Sequence, residues 1–573
     1  MVLKFRRKNW GVCGRCFCPS AGRLILLCLV LAVSAACGGT WTPLNNFAPD
    51  YISATLLLPN GTVMAHDGWG STNWYLLTPS AAGSYLNGTW TTLPAMNFSR
   101  LYFASDVLRD GRVLVAGGEY GTGVANAEVY DPVSNSWTVV SPPGTLLNPN
   151  LPSPEVGENQ GFYDATSEVI SNGNVLVAPV GANTTGGTLL FNPASNTWSA
   201  GPLLNQIGYP DQAEASWVKL ADNSILTVDP YGTTAERYIP SLNQWVSDAT
   251  VPVLLYDTNG EEGAAVLLPG GQAFFMGGTG HTVLYTPSGG TSAGAWTVGP
   301  DIPNVQGTSD AAAALLANGN VLCVVGPEQT LDAPSSFYEY NPTTNGFVQY
   351  SSPVGTLTMN IPTYYGCLLD LPDGTVLFSD FDYQLYDYQP AGAILAAGRP
   401  GISNITRNSD GSYLLSGTNL NGVSEGSAYG DDLQNASNYP LVRLLDGMGN
   451  VHYARTFNWS STGVMTGNTP QTTEFVLPAG LSAASYSLVA VANGIASPAV
   501  LFSTNNPALQ IAAQPGKAVL SWPAVFPTGT LQKTTNLVSA AWTAVATPIS
   551  LIGTNYVLTN AVSATTAFYR LKY

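Results

Sequence analysis

Between residues 50 and 380 one local pattern keeps returning: an apolar run, a tight polar turn and a second apolar run, the sequence form of a β-hairpin. Seven turns carry it: Pro59-Asn60-Gly61, Arg109-Asp110-Gly111, Ser171-Asn172-Gly173, Ala221-Asp222-Asn223, Pro269-Gly270-Gly271, Ala317-Asn318-Gly319 and Pro372-Asp373-Gly374. Their central residues are spaced by 50, 62, 50, 48, 48 and 55 positions. Later in each unit comes a second turn with proline, followed by an aromatic residue: Asp131-Pro132 with Trp137, Asn192-Pro193 with Trp198, Ile239-Pro240 with Trp245, Thr286-Pro287 with Trp296, and Asn341-Pro342 with Phe347. Thr78-Pro79 with Trp90 is a looser copy.

A period near 50 residues predicts four-stranded units that bury their faces only against neighbouring units. The second unit, from Gly117-Gly118-Glu119 through Tyr130-Asp131-Pro132 to Trp137, resembles a kelch repeat. The other units are degenerate, with the glycine pair surviving at Gly277-Gly278. The expected fold class is all-β: a seven-bladed kelch-type propeller over residues 37–397. The seventh unit has Gln389-Pro390 with no tryptophan after it, whereas Trp41-Thr42-Pro43 lies upstream of the first unit. The strand around Trp41 is therefore expected to complete the last blade and close the ring, removing free sheet edges. The repeat aromatics read as packing residues.

From Arg399 the repeat stops. Alternating strands from Ile402 to Phe502 suit one immunoglobulin-like β-sandwich over residues 398–504. Asn505-Asn506-Pro507 reads as a linker to a last segment, 505–573, that resembles a small fibronectin-type β module.

Composition agrees with turns and strands: 60 glycines, 40 prolines and 10% aromatic residues, with no Gly-X-Y period. The 36 acidic residues outnumber 19 basic ones, and six of the basic ones (Lys4, Arg6, Arg7, Lys8, Arg15, Arg23) precede residue 37. What remains is strongly acidic, which argues against a nucleic-acid partner. The basic stretch runs into the apolar segment 24–33 and then small residues, the layout of a secretory signal over residues 1–36. The run is shorter than the roughly 20 residues of a spanning helix. Cleavage after Ala36 would expose Cys37, the position lipidated in bacterial lipoproteins, although Ser34 stands where an aliphatic residue is preferred. Secreted, periplasmic and cell-surface locations all follow from this layout, with a membrane reached only through a lipid at Cys37. Five of seven cysteines (Cys13, Cys16, Cys18, Cys28, Cys37) belong to the leader or its edge, so Cys323 and Cys367 make no disulfide framework.

A propeller followed by a sandwich resembles galactose oxidase and glyoxal oxidase, copper-radical enzymes, over residues 41–502. The resemblance implies copper held by two tyrosines and two histidines, one tyrosine being cross-linked to a cysteine. Ser99-Arg100-Leu101-Tyr102-Phe103 puts Tyr102 at the first tyrosine position, but the expected cysteine partner falls in Asp50-Tyr51-Ile52-Ser53-Ala54, which has none. The Tyr-His pair of that family reads Tyr364-Tyr365 here, so a phenol replaces an imidazole. His452 is the counterpart implied for the sandwich histidine. Copper(II) favours imidazole, so the positions Tyr102, Tyr364, Tyr365 and His452 are expected to be vestigial, with no copper bound. His66 and His281 read as structural. Asp431 and Asp432 offer oxygen ligands to Ca²⁺ or form a solvated turn.

Residues seven to twelve before each blade turn converge at one mouth of a propeller channel. They include Asp50, Tyr51, Tyr102, Asn159, Gln160, Tyr163, Asp211, Gln212, Glu214, Glu261, Glu262, Asp310, Tyr364 and Tyr365. This acidic and aromatic set suits a sugar, Ca²⁺ or a cationic peptide. Tyr51, Tyr102, Gln160, Asp211, Glu214, Glu262, Asp310 and Tyr364 are the candidate ligand-binding residues. Adjacent strand residues point to opposite faces, so only one of Glu261 and Glu262 faces the channel. With no nucleophile elbow, P-loop, HExxH or dinucleotide fingerprint in its required context, the expected function is an exported propeller that binds glycans or surface polymers. A divergent oxidoreductase or lyase-like enzyme, and a cell-surface protein scaffold, are the alternatives.

Overall fold

All seven repeat turns share one geometry. The residue at the end of each turn donates its N–H to a carbonyl three residues earlier, as in Gly61 to Leu58 at 2.9 Å and Gly111 to Leu108 at 2.7 Å. That residue has positive φ, 74° at Gly61 and 85° at Gly111, where a side chain on Cβ is strained; Asn223, at 66°, fills the place in the fourth unit. The central Asn or Asp then accepts the N–H two residues on, as Asn60 does from Thr62 and Asp373 from Thr375, both at up to 3.3 Å. This three-residue hairpin turn is written into the sequence and needs no tertiary help.

The computed structural model describes residues 38–147, 151–152, 159–180, 187–205, 212–429, 433–434, 439–504, 509–523, 530–538, 541–553, 555–561 and 566–572. The leader with Cys37, Asp211, Asp431 and Asp432 lie outside these residues, and Gln160 is described only as part of a two-residue backbone strand. Among the described residues, each turn joins two neighbouring strands of an antiparallel sheet, four-stranded in five cases and extended to six strands in the fifth and sixth. Their inner strands are Ile52–Leu57, Ala104–Val107, Phe162–Val169, Val218–Lys219, Glu262–Leu267, Ala313–Leu315 and Cys367–Asp370, here sheets 1 to 7. Sheet 7 takes its fourth strand from the other end of the repeat region: Thr40–Pro43 pairs antiparallel with Tyr386–Gln389, Trp41 opposite Tyr388. The closure expected from Trp41 is thus present.

The sheets hold each other through their faces. One apolar cluster joins sheets 5, 6 and 7, another joins 7, 1 and 2, and others join 2 to 3, 3 to 4 and 4 to 5. Outer-strand tryptophans act as staples. Trp137, Trp198 and Trp296 donate their indole N–H to the carbonyls of Pro94, Val140 and Ala249, each in the segment leading into the same sheet. Trp245, with its indole N–H unpartnered, and Phe347 hold the same place by ring packing alone, against Trp217 and Tyr238 and against Tyr340.

Eight strands between residues 401 and 503 form one continuous sheet. Val451–Phe457 pairs with Leu441–Leu445 through its first half and with Pro470–Val476 through its second, turning the sheet around a core of Tyr413, Leu415, Phe475, Tyr486 and Phe502. This domain sits on the turn end of the sheets. Thr456 N–H reaches Pro59 O at 3.3 Å, Val451 N–H reaches Ala81 O at 2.7 Å, and Arg109 Nε reaches Trp459 O at 2.6 Å. Two short strands leave the domain: Ser427–Tyr429 adds to the inner edge of sheet 5, Ala428 opposite Ala265, and Leu433–Gln434 pairs with that strand in turn. Beside it Lys219, wholly buried, pairs with Glu168 at 2.8 Å and with Glu425. The last segment makes two small sheets around Leu520, Trp522, Leu531 and Leu558.

Candidate functional site

With the turn end covered, chemistry accessible along the ring axis gathers at the opposite end, where the inner strands begin. Strand direction alternates, so the loops joining second and third strands lie at that same end. The residue eight positions before each central turn residue occupies one equivalent place in every sheet: Ile52, Tyr102, Asp164, Glu214, Glu262, Asp310 and Tyr365. Four of these have left-handed backbones despite carrying side chains, Tyr102 at φ 45°, Asp164 at 46°, Glu214 at 55° and Asp310 at 48°. Each costs on the order of 1 kcal/mol and marks a position held by its surroundings. Bulges interrupt the pairing at the start of sheets 1, 3 and 5, between Ile52 and Thr55, Phe162 and Thr166, and Glu262 and Ala265. Such bulges re-aim side chains at a sheet's rim.

One arc of this mouth is acidic. The carboxylates of Glu119, Asp164 and Glu214 lie within 4.8 Å of one another. Burial holds the Glu214 carboxyl well above its ordinary range, and neighbouring Glu261, Asp164 and Asp310 push it the same way. Both effects favour the neutral form of Glu214, which shares a hydrogen bond with Glu261. Glu262 does not belong to this arc. Its Oε1 accepts the Ser216 N–H at 2.9 Å, it is 1% exposed, and burial lifts its carboxyl far above the usual range. Glu262 is therefore a pin between sheets 4 and 5, and strand alternation leaves Glu261 as the member that meets Glu214.

The other arc is aromatic. Tyr51 lies 4.3 Å from Tyr383 and 6.1 Å from Trp69, ring centre to ring centre. Tyr365 stacks on Phe381 at 4.7 Å, with Tyr364 edge-on to it at 4.9 Å, and Tyr102 lies 6.2 Å from Phe381 and 6.4 Å from Tyr120. Trp69 is 58% exposed and Tyr120 71%. Trp69, Glu119, Tyr120, Phe381 and Tyr383 are absent from the sequence-based candidates because they follow the second strand of a sheet rather than precede the first. Counting strand direction around each hairpin would have found them.

Of the four positions implied for copper, Tyr102 and Tyr364 converge on one cavity. Ser53, Ala54, Tyr102, Phe103, Tyr364, Cys367 and Phe381 line one cavity of about 10 Å³, room for about one water. Cys367 is the thiol there, and burial pushes it up to about 12. No histidine joins them among the described residues. His66 is buried between Trp74 and Phe103 with Nε2 3.2 Å from Ser71 O, and burial pulls it down to about 3. His281 pairs with Asp301 at 2.8 Å. His452 faces Asp446 at 3.4 Å, on the strand whose next residue, Tyr453, abuts the Gly61 turn. It is at the wrong end of the sheets to meet Tyr102, since its strand docks on their turns. Two phenols and a protonated thiol without imidazole do not fit copper(II).

The Kelch motif model matches residues 100–144. Galactose oxidase of Gibberella zeae is 39% identical over 77 residues, which are 13% of this chain and 10% of that protein. Kelch-like protein 36 of Mus musculus is 25% identical over 242 residues, 39% of this chain and 36% of that one. The chain thus spans about a tenth of the galactose oxidase and about a third of the kelch-like protein. A fungal alcohol oxidase of the AA5 family, solved in complex with copper, matches with a TM-score of 0.50 and 16% identity, covering 82% of this chain and all of that one. Motif, local sequence and fold agree: the chain is a galactose oxidase-like kelch-repeat protein.

Proposed function

We propose that this chain is an exported recognition protein: a seven-bladed propeller, carrying an immunoglobulin-like sandwich, that binds a glycan or surface polymer at its mouth without copper-radical chemistry. One observation carries the reading. Exposed and half-buried aromatic rings from sheets 7, 1 and 2 and a cluster of carboxylates from sheets 2 to 4 gather at the same end of the sheets. Ring faces stack on the apolar face of a sugar, while carboxylates and carboxyls accept and donate hydrogen bonds to its hydroxyls. Glu119, Asp164 and Glu214 also hold oxygens at a spacing open to Ca²⁺. The export signal over residues 1–36 supplies the location.

The test is a glycan array followed by calorimetry, with and without Ca²⁺, alongside peroxide release after copper loading. Expected is saturable glycan binding that Trp69→Ala and Tyr102→Ala weaken about tenfold each, with no peroxide. Stoichiometric copper with peroxide would overturn the reading in favour of a divergent oxidase. Binding of proteins but no glycan would favour the scaffold alternative.

A further inference from the structure

We infer that the second domain carries a separate anion-binding cleft, built around Arg407 and Arg455 and suited to an acidic polysaccharide. The cleft has a volume of about 800 Å³, within the range of ligand sites, and is lined by Arg407, Ser412, Tyr413, Arg455, Phe457 and Leu477 among others. Cations are scarce in this protein: residues 38–504 contain nine. Six of them donate side-chain hydrogen bonds that tie the fold together, as Arg100 does to Glu128 and Arg109 to Trp459. Among the described residues the three that do not are Arg399, Arg407 and Arg455, and two of these three line this one cleft. A protein with so few cations leaves two guanidinium groups uncommitted in the same cavity.

Local chemistry keeps them available. The Arg455 guanidinium sits 4.7 Å over the Phe457 ring, which holds its plane while leaving its edge donors open. Asp410 is the carboxylate within the cleft, and its Oδ1 already accepts from Ser412 N at 2.9 Å and from Ser412 Oγ at 2.7 Å. Asp110 and Asp131 on sheet 2 also act on Arg455 electrostatically, but Asp110 is paired with Arg112 at 2.7 Å. Planar guanidinium groups bind carboxylates and sulfates through paired, charge-assisted hydrogen bonds. The cleft is far larger than an inorganic ion needs, so the anion is part of a larger molecule. With only two guanidinium groups beside the Tyr413 and Phe457 rings, the cleft suits a sugar chain carrying a few uronate or sulfate ester groups, whose rings pack on the aromatic side chains.

The experiment titrates the full chain with oligogalacturonate, with dextran sulfate and with neutral dextran, at low and high salt. Expected is binding of one or both acidic polymers that weakens with salt, falls about tenfold in Arg407→Gln or Arg455→Gln, is lost in the double variant, and is unchanged in Arg399→Gln. Binding of the uronate alone, of the sulfate alone, or of both identifies the anionic group and supports the cleft. Failure of both acidic polymers, or double-variant affinity equal to the parent's, overturns it. If the double variant does not fold, phenylglyoxal labelling of the unmodified chain answers the same question. Protection of Arg407 and Arg455 by bound polymer supports the cleft, and labelling unchanged by bound polymer refutes it.

Discussion

Replacing Lys219 with methionine tests the junction between the ring and the second domain. The ammonium is wholly buried, 2.8 Å from Glu168 Oε1 and 2.8 Å from Val169 O, and bonded to Glu425 in the segment that feeds the strand added to sheet 5. Burial alone would lower its pKa, and the attraction of Glu168 and Glu425 more than reverses this. Methionine fills much of the volume but leaves two acidic side chains beside each other, with Asp106 close by. Removing one partner of a buried ionic network costs about 3–5 kcal/mol. The cost must depend on pH. Burial lifts the Glu425 carboxyl well above its ordinary range and Asp106 to about 7, so lowering the pH favours their neutral forms and reduces the charge left uncompensated beside the methionine. Calorimetry should therefore show Lys219→Met lowering the unfolding temperature by several degrees at about pH 8 and by less than half as much at about pH 5, with Lys219→Met/Glu425→Gln intermediate at the higher pH. A loss of the same size at both values, or none at the higher one, would refute the reasoning.

Other outcomes follow from the same physics. Burial lifts Asp370 to about 8 and Asp106, Asp380 and Asp387 to about 7, from 3.8. Folded chains then bind more protons than unfolded ones between those limits, so thermal stability should fall as pH rises from about 4 to about 8 and level off above, as a scan in graded buffers would register. Trp41→Ala removes an indole 4.6 Å from Tyr388 and 5.2 Å from Phe337, loosening the strand that closes sheet 7. It should cost about 3–5 kcal/mol by denaturant titration, and the closure idea fails if it costs under 1. Glu214→Gln mimics the protonated acid and should leave stability within about 1 kcal/mol, whereas Glu214→Lys, checked by the same titration and by glycan calorimetry, should disturb both.

Much of this architecture is legible because it is local. A type of turn with a left-handed last residue needs glycine or asparagine there, and an Asx acceptor one residue earlier, so the turns at Gly61, Asn223 and Gly374 declare the hairpins without reference to any neighbour. The missing last tryptophan and the spare one at Trp41 declare ring closure by the same bookkeeping of repeats. Tertiary structure alone decided which side chains share the mouth. Glu261 and Glu262 are equivalent in sequence, and only the bulge and strand alternation at the start of sheet 5 send one to the acidic arc and pin the other under Ser216. Cys367 meets Tyr102 and Tyr364 because sheets 7 and 2 flank sheet 1 around the axis, a proximity between residues more than 260 positions apart. His452, placed by family resemblance, is carried to the turn end because its strand docks there. Hydrogen bonding within a turn is a property of a few successive residues, whereas the content of a cavity is set by how separate sheets pack against one another.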